Sequence, residues 1–198
     1  MTVILANGDF PREGGVAHSI LAAADNTVAC DGAADAYRAH FHRAPTLTVG
    51  DLDSLRSAPA DAECIRIAEQ ETNDLAKAVR VCRTRGWQAP IILGATGKRD
   101  DHMLGNIFRA FEFGLEIVTD YGRFTPIVGA AKFTLPVRSP ISFFALDPST
   151  HATSLGLEWP LDDVKFTNLY CATLNRTTLP TVEITSDRPI YAYIPFNS

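Results

Sequence analysis

Three short stretches carry residues whose types and spacing suit phosphate and metal chemistry. The longest is Gly94-Ala95-Thr96-Gly97-Lys98-Arg99-Asp100-Asp101-His102, set between an apolar run and a helix-like stripe. Its glycines can open a loop whose backbone N–H groups approach an anion, and the following helix terminus reinforces that field. Arg99 offers a rigid fork of donors matched to phosphate oxygens. Asp100, Asp101 and His102 supply metal-ligand, base or orienting groups. The GxxxxGK[ST] pattern of a P-loop is absent, because Gly94 and Lys98 are only four apart and Arg99 follows the lysine. A polar helix start with a salt-bridged arginine would explain the same residues.

The second stretch is Gly50-Asp51-Leu52-Asp53-Ser54. Two carboxylates two residues apart repel one another, and a divalent cation would stabilise both in ionised form. All-oxygen ligands are what Mg²⁺ prefers, with water and phosphate filling the remaining positions. The plainer alternative is a turn in which Asp53 or Ser54 caps a helix. In the third stretch, Glu69-Gln70-Glu71-Thr72-Asn73-Asp74, either Thr72 or Asn73 is expected to cap a helix. Asp74 then falls in the first turn, where an anion suits the helix dipole. Lys77, in the second turn, is expected to face solvent. No nucleophilic Ser, Cys or His triad is legible, and transfer to a substrate alcohol would need none.

These stretches need elements to hold them. Val3-Ile4-Leu5-Ala6 ends at Asn7-Gly8-Asp9, Thr27-Val28-Ala29-Cys30 at Asp31-Gly32, and Thr46-Leu47-Thr48-Val49 at Gly50-Asp51. Pro90-Ile91-Ile92-Leu93 ends at Gly94. Each reads as a buried strand running into a polar turn. Leu75, Ala78, Val79 and Cys82 fall at i, i+3, i+4 and i+7, as do Leu104, Ile107, Phe108 and Phe111. The two amphipathic helices this predicts are closed by Gly86 and Gly114. Strands alternating with helices imply a mostly parallel sheet, whose strand C-termini form the ligand crevice. After residue 121 short strands follow one another with no helical stripe between them, including Phe124 to Val128, Ile141 to Leu146 and Ile190 to Ile194. The expected fold is an α/β domain over residues 1–121 and a small all-β sandwich over 122–198.

Composition narrows the classes. At 46 % hydrophobic and 21 % charged residues the chain is expected to be globular, and a net charge of -5 argues against a nucleic-acid footprint. Cys30, Cys64, Cys82 and Cys171 form no CxxC pair, so free thiols are expected rather than disulfides or structural zinc. With no basic leader and no run long enough to span a bilayer, the expectation is a cytoplasmic protein without a membrane segment.

In their order and spacing these pieces resemble the thiamine pyrophosphokinase family. The matching segments are Asn7-Gly8-Asp9, Asp31-Gly32-Ala33-Ala34-Asp35, Gly50 to Ser54, Gln70 to Asp74, and the Gly94-to-His102 loop extended to Asn106. Further on, Ser154-Leu155-Gly156-Leu157-Glu158-Trp159-Pro160-Leu161 resembles the family's tryptophan segment, one residue short. Thr167-Asn168 resembles a second element. The resemblance implies transfer of the pyrophosphoryl group of ATP to thiamine with Mg²⁺, in a homodimer that holds thiamine between subunits. It further implies Asp51, Asp53, Asp74 and Asp101 as metal and catalytic carboxylates, with Arg99 on phosphate. Asn7, Asp31, Gly32, Gly94, Gly97, His102 and Asn106 would belong to the ATP site, and Gln70, Trp159, Thr167 and Asn168 to the thiamine site. The chain departs from the family pattern with Asn73 before Asp74, with Lys98 where glycine is common, and with Leu169 after Asn168. A diphosphokinase acting on a pterin alcohol and a non-catalytic nucleotide- or thiamine-binding module are the alternatives.

Overall fold

The computed structural model describes residues 1–52 and 63–196. The chain divides into two compact units, Met1–Asp120 and Tyr121–Ser198.

In the first unit the described elements run β1 (Thr2–Leu5), α1 (Val16–Ala22), β2 (Asn26–Cys30), α2 (Ala33–Phe41), β3 (Leu47–Gly50) and β4 (Glu63–Arg66). They continue with α3 (Asp74–Thr84), β5 (Ile91–Leu93), α4 (Asp100–Phe113) and β6 (Ile117–Val118). The strands lie in the order β6-β5-β1-β2-β3-β4, and every pair is parallel. Val3, Ile4, Leu5, Val28, Ala29, Leu47, Val49, Ile92 and Leu93 are buried. Such continuous apolar runs are what strands covered on both faces require. The order reverses direction at β1, with β2 on one side and β5 on the other, which is the topological switch point where α/β sheets bind ligands.

Asn73 caps α3, its Oδ1 accepting the Ala76 N–H at 3.0 Å, so the asparagine supplies the expected cap and Asp74 opens the helix. The stripe Leu75, Ala78, Val79 and Cys82 is buried, and so are Ala76, Val81 and Lys77. The expectation that Lys77 faces solvent is therefore wrong. α3 packs against β3, β2 and β1 over a face wide enough to take in position 77, and only 2 % of that residue is exposed. The second stripe is buried only near its end. Phe111 is covered and Gly114 closes α4 in the left-handed conformation, whereas Leu104 is 52 % exposed.

The second unit contains β7 (Gly122–Ile127), β8 (Ala130–Thr134), β9 (Pro140–Phe144), β10 (Ala152–Leu155), β11 (Ala172–Arg176), β12 (Thr181–Ser186) and β13 (Ile190–Pro195). One layer runs β11-β9-β13-β7 and the other β10-β12-β8, all antiparallel. In β12 Val182, Ile184 and Ser186 are buried while Glu183 and Thr185 are exposed, the alternation of a half-buried strand. Val182 and Ile184 join Ile141, Phe143, Leu161, Phe166 and Ile190 in one hydrophobic core. The architecture is the expected one: a mixed α/β unit with a parallel sheet, then a small antiparallel β unit. Among the described residues no helix is long and apolar enough to cross a membrane.

Candidate active site

The turns after β1, β2, β3 and β5 stand at the same edge of the sheet and are fastened to one another. Gly8 N–H donates to Gly94 O at 2.8 Å and Asp9 N–H to Thr96 O at 2.7 Å, joining the β1 turn to the β5 loop. A Cβ on Gly8 would collide with the carbonyls of Gly94 and Thr96, so no other residue fits this approach. Gly97, at φ +80, lies against the Asp9 carboxylate, which leaves no room for a side chain there. A Cβ on Gly32 would stand 2.9 Å from Asn7 Nδ2, and one on Gly50 would stand 3.0 Å from Asp31 Cβ. Asn7, Asp31, Gly32 and Gly50 are thus in one packed row.

Asp31 is 4 % exposed at φ 43, its N–H donating to Val49 O at 2.9 Å. Gln70 Nε2 donates to Asp51 Oδ2 at 3.1 Å, which links the segment before α3 to the end of β3. Lys77 Nζ donates to Asp74 Oδ1 at 3.0 Å. The Asp74 side chain is 32 % exposed, and among the described residues its Oδ2 makes no hydrogen bond. The Cys30 thiol reports where these charges sit. Burial raises it well above its ordinary range, and Asp74, Cys82 and Asp31 push it the same way while Lys77 opposes them. Asp31, Asp74 and Lys77 are therefore near enough to the end of β2 for their charges to act on its thiol.

The β5 loop carries the exposed charges. Arg99 holds Asp101 through both edges of its fork, Nε to Oδ1 at 3.0 Å and Nη2 to Oδ2 at 2.6 Å. The Asp101 carboxyl is lowered to about 2, chiefly by that bond, and His102 N–H adds a 2.9 Å bond to Oδ1. The same contact raises the Arg99 guanidinium. The His102 side chain is exposed at the surface of α4. Lys98 stands at φ 57, a left-handed conformation that costs a non-glycine residue about 1 kcal/mol or more. Its Nζ donates to Asn7 Oδ1 at 3.0 Å. Asn106 joins the loop to α3: its Nδ2 donates to Ala95 O at 3.4 Å, and its Oδ1 accepts from Asn73 Nδ2 at 3.2 Å.

Of the site residues expected in the first unit, Asn7, Asp31 and Gly32 pack in one row, Gly94 and Gly97 adjoin the β1 turn, Asn106 is tied to Ala95, Gln70 is bonded to Asp51 and Arg99 to Asp101, while His102 is exposed on α4. Asp53 lies outside the described residues. Among the described residues no three His, Cys, Asp or Glu side chains form a metal-holding group, and Asp101 is occupied by Arg99. Lys77 and Asn73, which hold Asp74 and its helix, had structural or solvent readings in the sequence. Their spacing to Asp74, three residues and one, was the available signal.

The expected thiamine-site residues of the second unit are organised differently. Trp159 is 54 % exposed and is held by its main chain, N–H to Asn175 Oδ1 at 3.2 Å and carbonyl from Asn175 Nδ2 at 2.6 Å. Asn168 Oδ1 accepts from Tyr170 N–H and from Cys171 Sγ, each at 3.1 Å, and Thr167 Oγ1 lies 3.7 Å from the same sulfur.

Residues 17–119 match the model of the thiamin pyrophosphokinase catalytic domain, and residues 122–193 that of the thiamin pyrophosphokinase substrate-binding domain. The chain belongs to the thiamin pyrophosphokinase family. Membership places it in an enzyme family of the transferase, kinase kind. No curated sequence matches it. Solved structures agree in fold. The thiamine pyrophosphokinase from Bacillus subtilis superposes with a TM-score of 0.71 at 19 % identity, covering 100 % of both chains. The Candida albicans thiamin pyrophosphokinase gives 0.75 at 14 %, covering 99 % of this chain and 90 % of that one. Yeast thiamin pyrophosphokinase gives 0.77 at 15 %, covering 98 % and 86 %.

Proposed function

We propose that the protein is a thiamine diphosphokinase. The thiamine hydroxyl oxygen attacks the β-phosphorus of ATP, the bond from that phosphorus to the bridging oxygen of the α-phosphate breaks, and AMP leaves as the hydroxyl proton is lost. The observation that carries this reading is the fastening of four strand-end turns, with Asp31, Asp51 and Asp74 on one side and the glycine loop with Arg99 on the other. It is supported by membership of the family through both of its domains.

The donor set fits Mg²⁺, which takes one or two carboxylates and completes its shell with water and phosphate. Asp51 and Asp74 would hold it, together with Asp53, and Asp101 would join when a phosphate takes over the Arg99 fork. Bound there, the ion would neutralise charge on the phosphate oxygens. The chain's own part is alignment. Backbone N–H groups between Gly94 and Gly97 face the polyphosphate, and Arg99 exchanges Asp101 for it. Asn7, Asp31, Gly32, His102 and Asn106 complete the ATP site in this reading. Gln70, Trp159, Thr167 and Asn168 would receive thiamine, the tryptophan offering a face to a cationic heterocycle. The second unit would also form the homodimer, and the enzyme would work in the cytoplasm.

The test is product analysis of the purified protein with ATP and thiamine, with and without Mg²⁺, beside a parallel reaction with a pterin alcohol. AMP and thiamine diphosphate are expected only when the divalent cation is present. ADP with a monophosphate ester would refute transfer at the β-phosphorus, and turnover confined to the pterin alcohol would refute the acceptor.

A further inference from the structure

The glycine loop presents two adjacent cations in unlike electrostatic states. Arg99 is spent on a carboxylate, bound to Asp101 by two hydrogen bonds. Lys98 is exposed and donates to a neutral amide oxygen, Asn7 Oδ1 at 3.0 Å. Among the described residues no carboxylate lies within ion-pair distance of its ammonium. The positive charge left uncompensated in this loop therefore belongs to Lys98.

Its placement is specific. The side chain crosses from the β5 loop to the β1 turn, and the amide it reaches is itself packed against Gly32 at the end of β2. The ammonium thus joins the β5 loop to the β1 turn, through an asparagine that packs on the turn after β2. The backbone at φ 57 is a conformation that favours glycine, yet a lysine occupies it directly after Gly97. Strain of this kind persists where the surroundings over-determine the residue, and it concentrates at ligand sites. A neutral amide is also an exchangeable partner: a phosphate oxygen binds an ammonium more strongly than an amide oxygen does.

We infer that Lys98 is a phosphate-binding residue of this site, its ammonium passing from Asn7 to an oxygen of the polyphosphate when nucleotide enters. The inference rests on the nucleotide reading above and adds the Lys98 cation to the groups that would hold the polyphosphate.

Calorimetric titration with MgATP and, separately, with inorganic tripolyphosphate tests it on the full chain and three variants. Lys98→Ala removes the side chain, Lys98→Gln keeps a donor for Asn7 without charge, and Lys98→Arg keeps the charge. Both uncharged variants are expected to bind MgATP about tenfold more weakly. They should lose tripolyphosphate by a similar factor and show a shallower dependence on salt, with Lys98→Arg close to the wild type. If Lys98→Gln binds like the wild type, the residue only fastens the loop to Asn7 and the inference is wrong. Unchanged binding in every variant, beside a wild type that binds MgATP, overturns the inference alone. A wild-type chain that binds no nucleotide overturns the nucleotide reading and this inference with it.

Discussion

The edge of the parallel sheet and the tryptophan segment of the β unit were both expected to bind substrate, yet they are built on opposite plans. At the sheet edge, side chains far apart in sequence hold one another: Asn7 with Lys98, Gln70 with Asp51, Asn73 with Asn106. Around Trp159 and Asn168 the bonds are local or run through the main chain, and the indole is left exposed. A transfer site must keep its groups aligned before the substrate arrives, because misalignment is paid in rate. An acceptor site can be completed by what binds to it. Under the proposed function, the first region would have the task of alignment and the second that of recognition.

The contrast breaks if the sheet edge tolerates loss of its carboxylates. Asp74→Asn and Asp51→Asn are each expected to lower kcat by roughly 10²–10³ while circular dichroism and the unfolding midpoint stay near those of the wild type. Normal turnover at limiting Mg²⁺ would return both aspartates to turn and cap duty. On the other side, Trp159→Ala should raise the KM for thiamine about tenfold with the KM for ATP unchanged. A half-exposed indole held through its backbone should move stability by no more than about 0.5 kcal/mol. A variant that loses ATP and thiamine use together would show that the tryptophan supports the fold or the assembly.

Lys77→Met sharpens the comparison by separating alignment from contact. Breaking a buried pair is costly, but Asp74 keeps partial access to water, so we expect a loss of roughly 1–2 kcal/mol in denaturant unfolding. Turnover should fall further than the MgATP affinity does. The smallest effect concerns acid. Asp101 is lowered to about 2 in the folded chain, so its contribution is present above the ordinary carboxylate range and is lost as pH falls through about 2. Asp101→Asn should therefore flatten the acid limb of stability only below about pH 4, a difference visible in paired thermal melts.

Much of this was legible before the fold was seen, for physical reasons that differ by element. β1, β2, β3 and β5 are buried on both faces and therefore read as unbroken apolar runs. β4 pairs only with β3 among the described strands, with Glu63 and Arg66 exposed at its ends, and gives no such run. α1 spans seven residues and buries only Ala17 and Leu21, too little for a stripe. β11 loses its alternation at an irregularity between Ala172 and Asn175, where Leu174 has φ 60. At the site, glycines and acids at strand ends were visible as types. The partners they choose were not: Arg99 with Asp101, Lys98 with Asn7 and Lys77 with Asp74 depend on rotamers and on the width of a packed face.

The link from the β5 loop to the start of α3 carries a consequence for how the protein keeps its setting. It runs from the Ala95 carbonyl through the amide of Asn106 to the amide of Asn73, and from there to the N–H of Ala76, two residues from Asp74. Every member is neutral. Acid that would discharge the aspartates leaves these bonds alone, and dissolved ions have no charge in them to screen. In the proposed reaction the groups that change charge would face the substrate, while the spacing between loop and helix is kept by groups that cannot change it. Under the proposed function, the spacing between the β5 loop and the start of α3 would thus be insulated from the acidity and salt that act on the charged groups beside it.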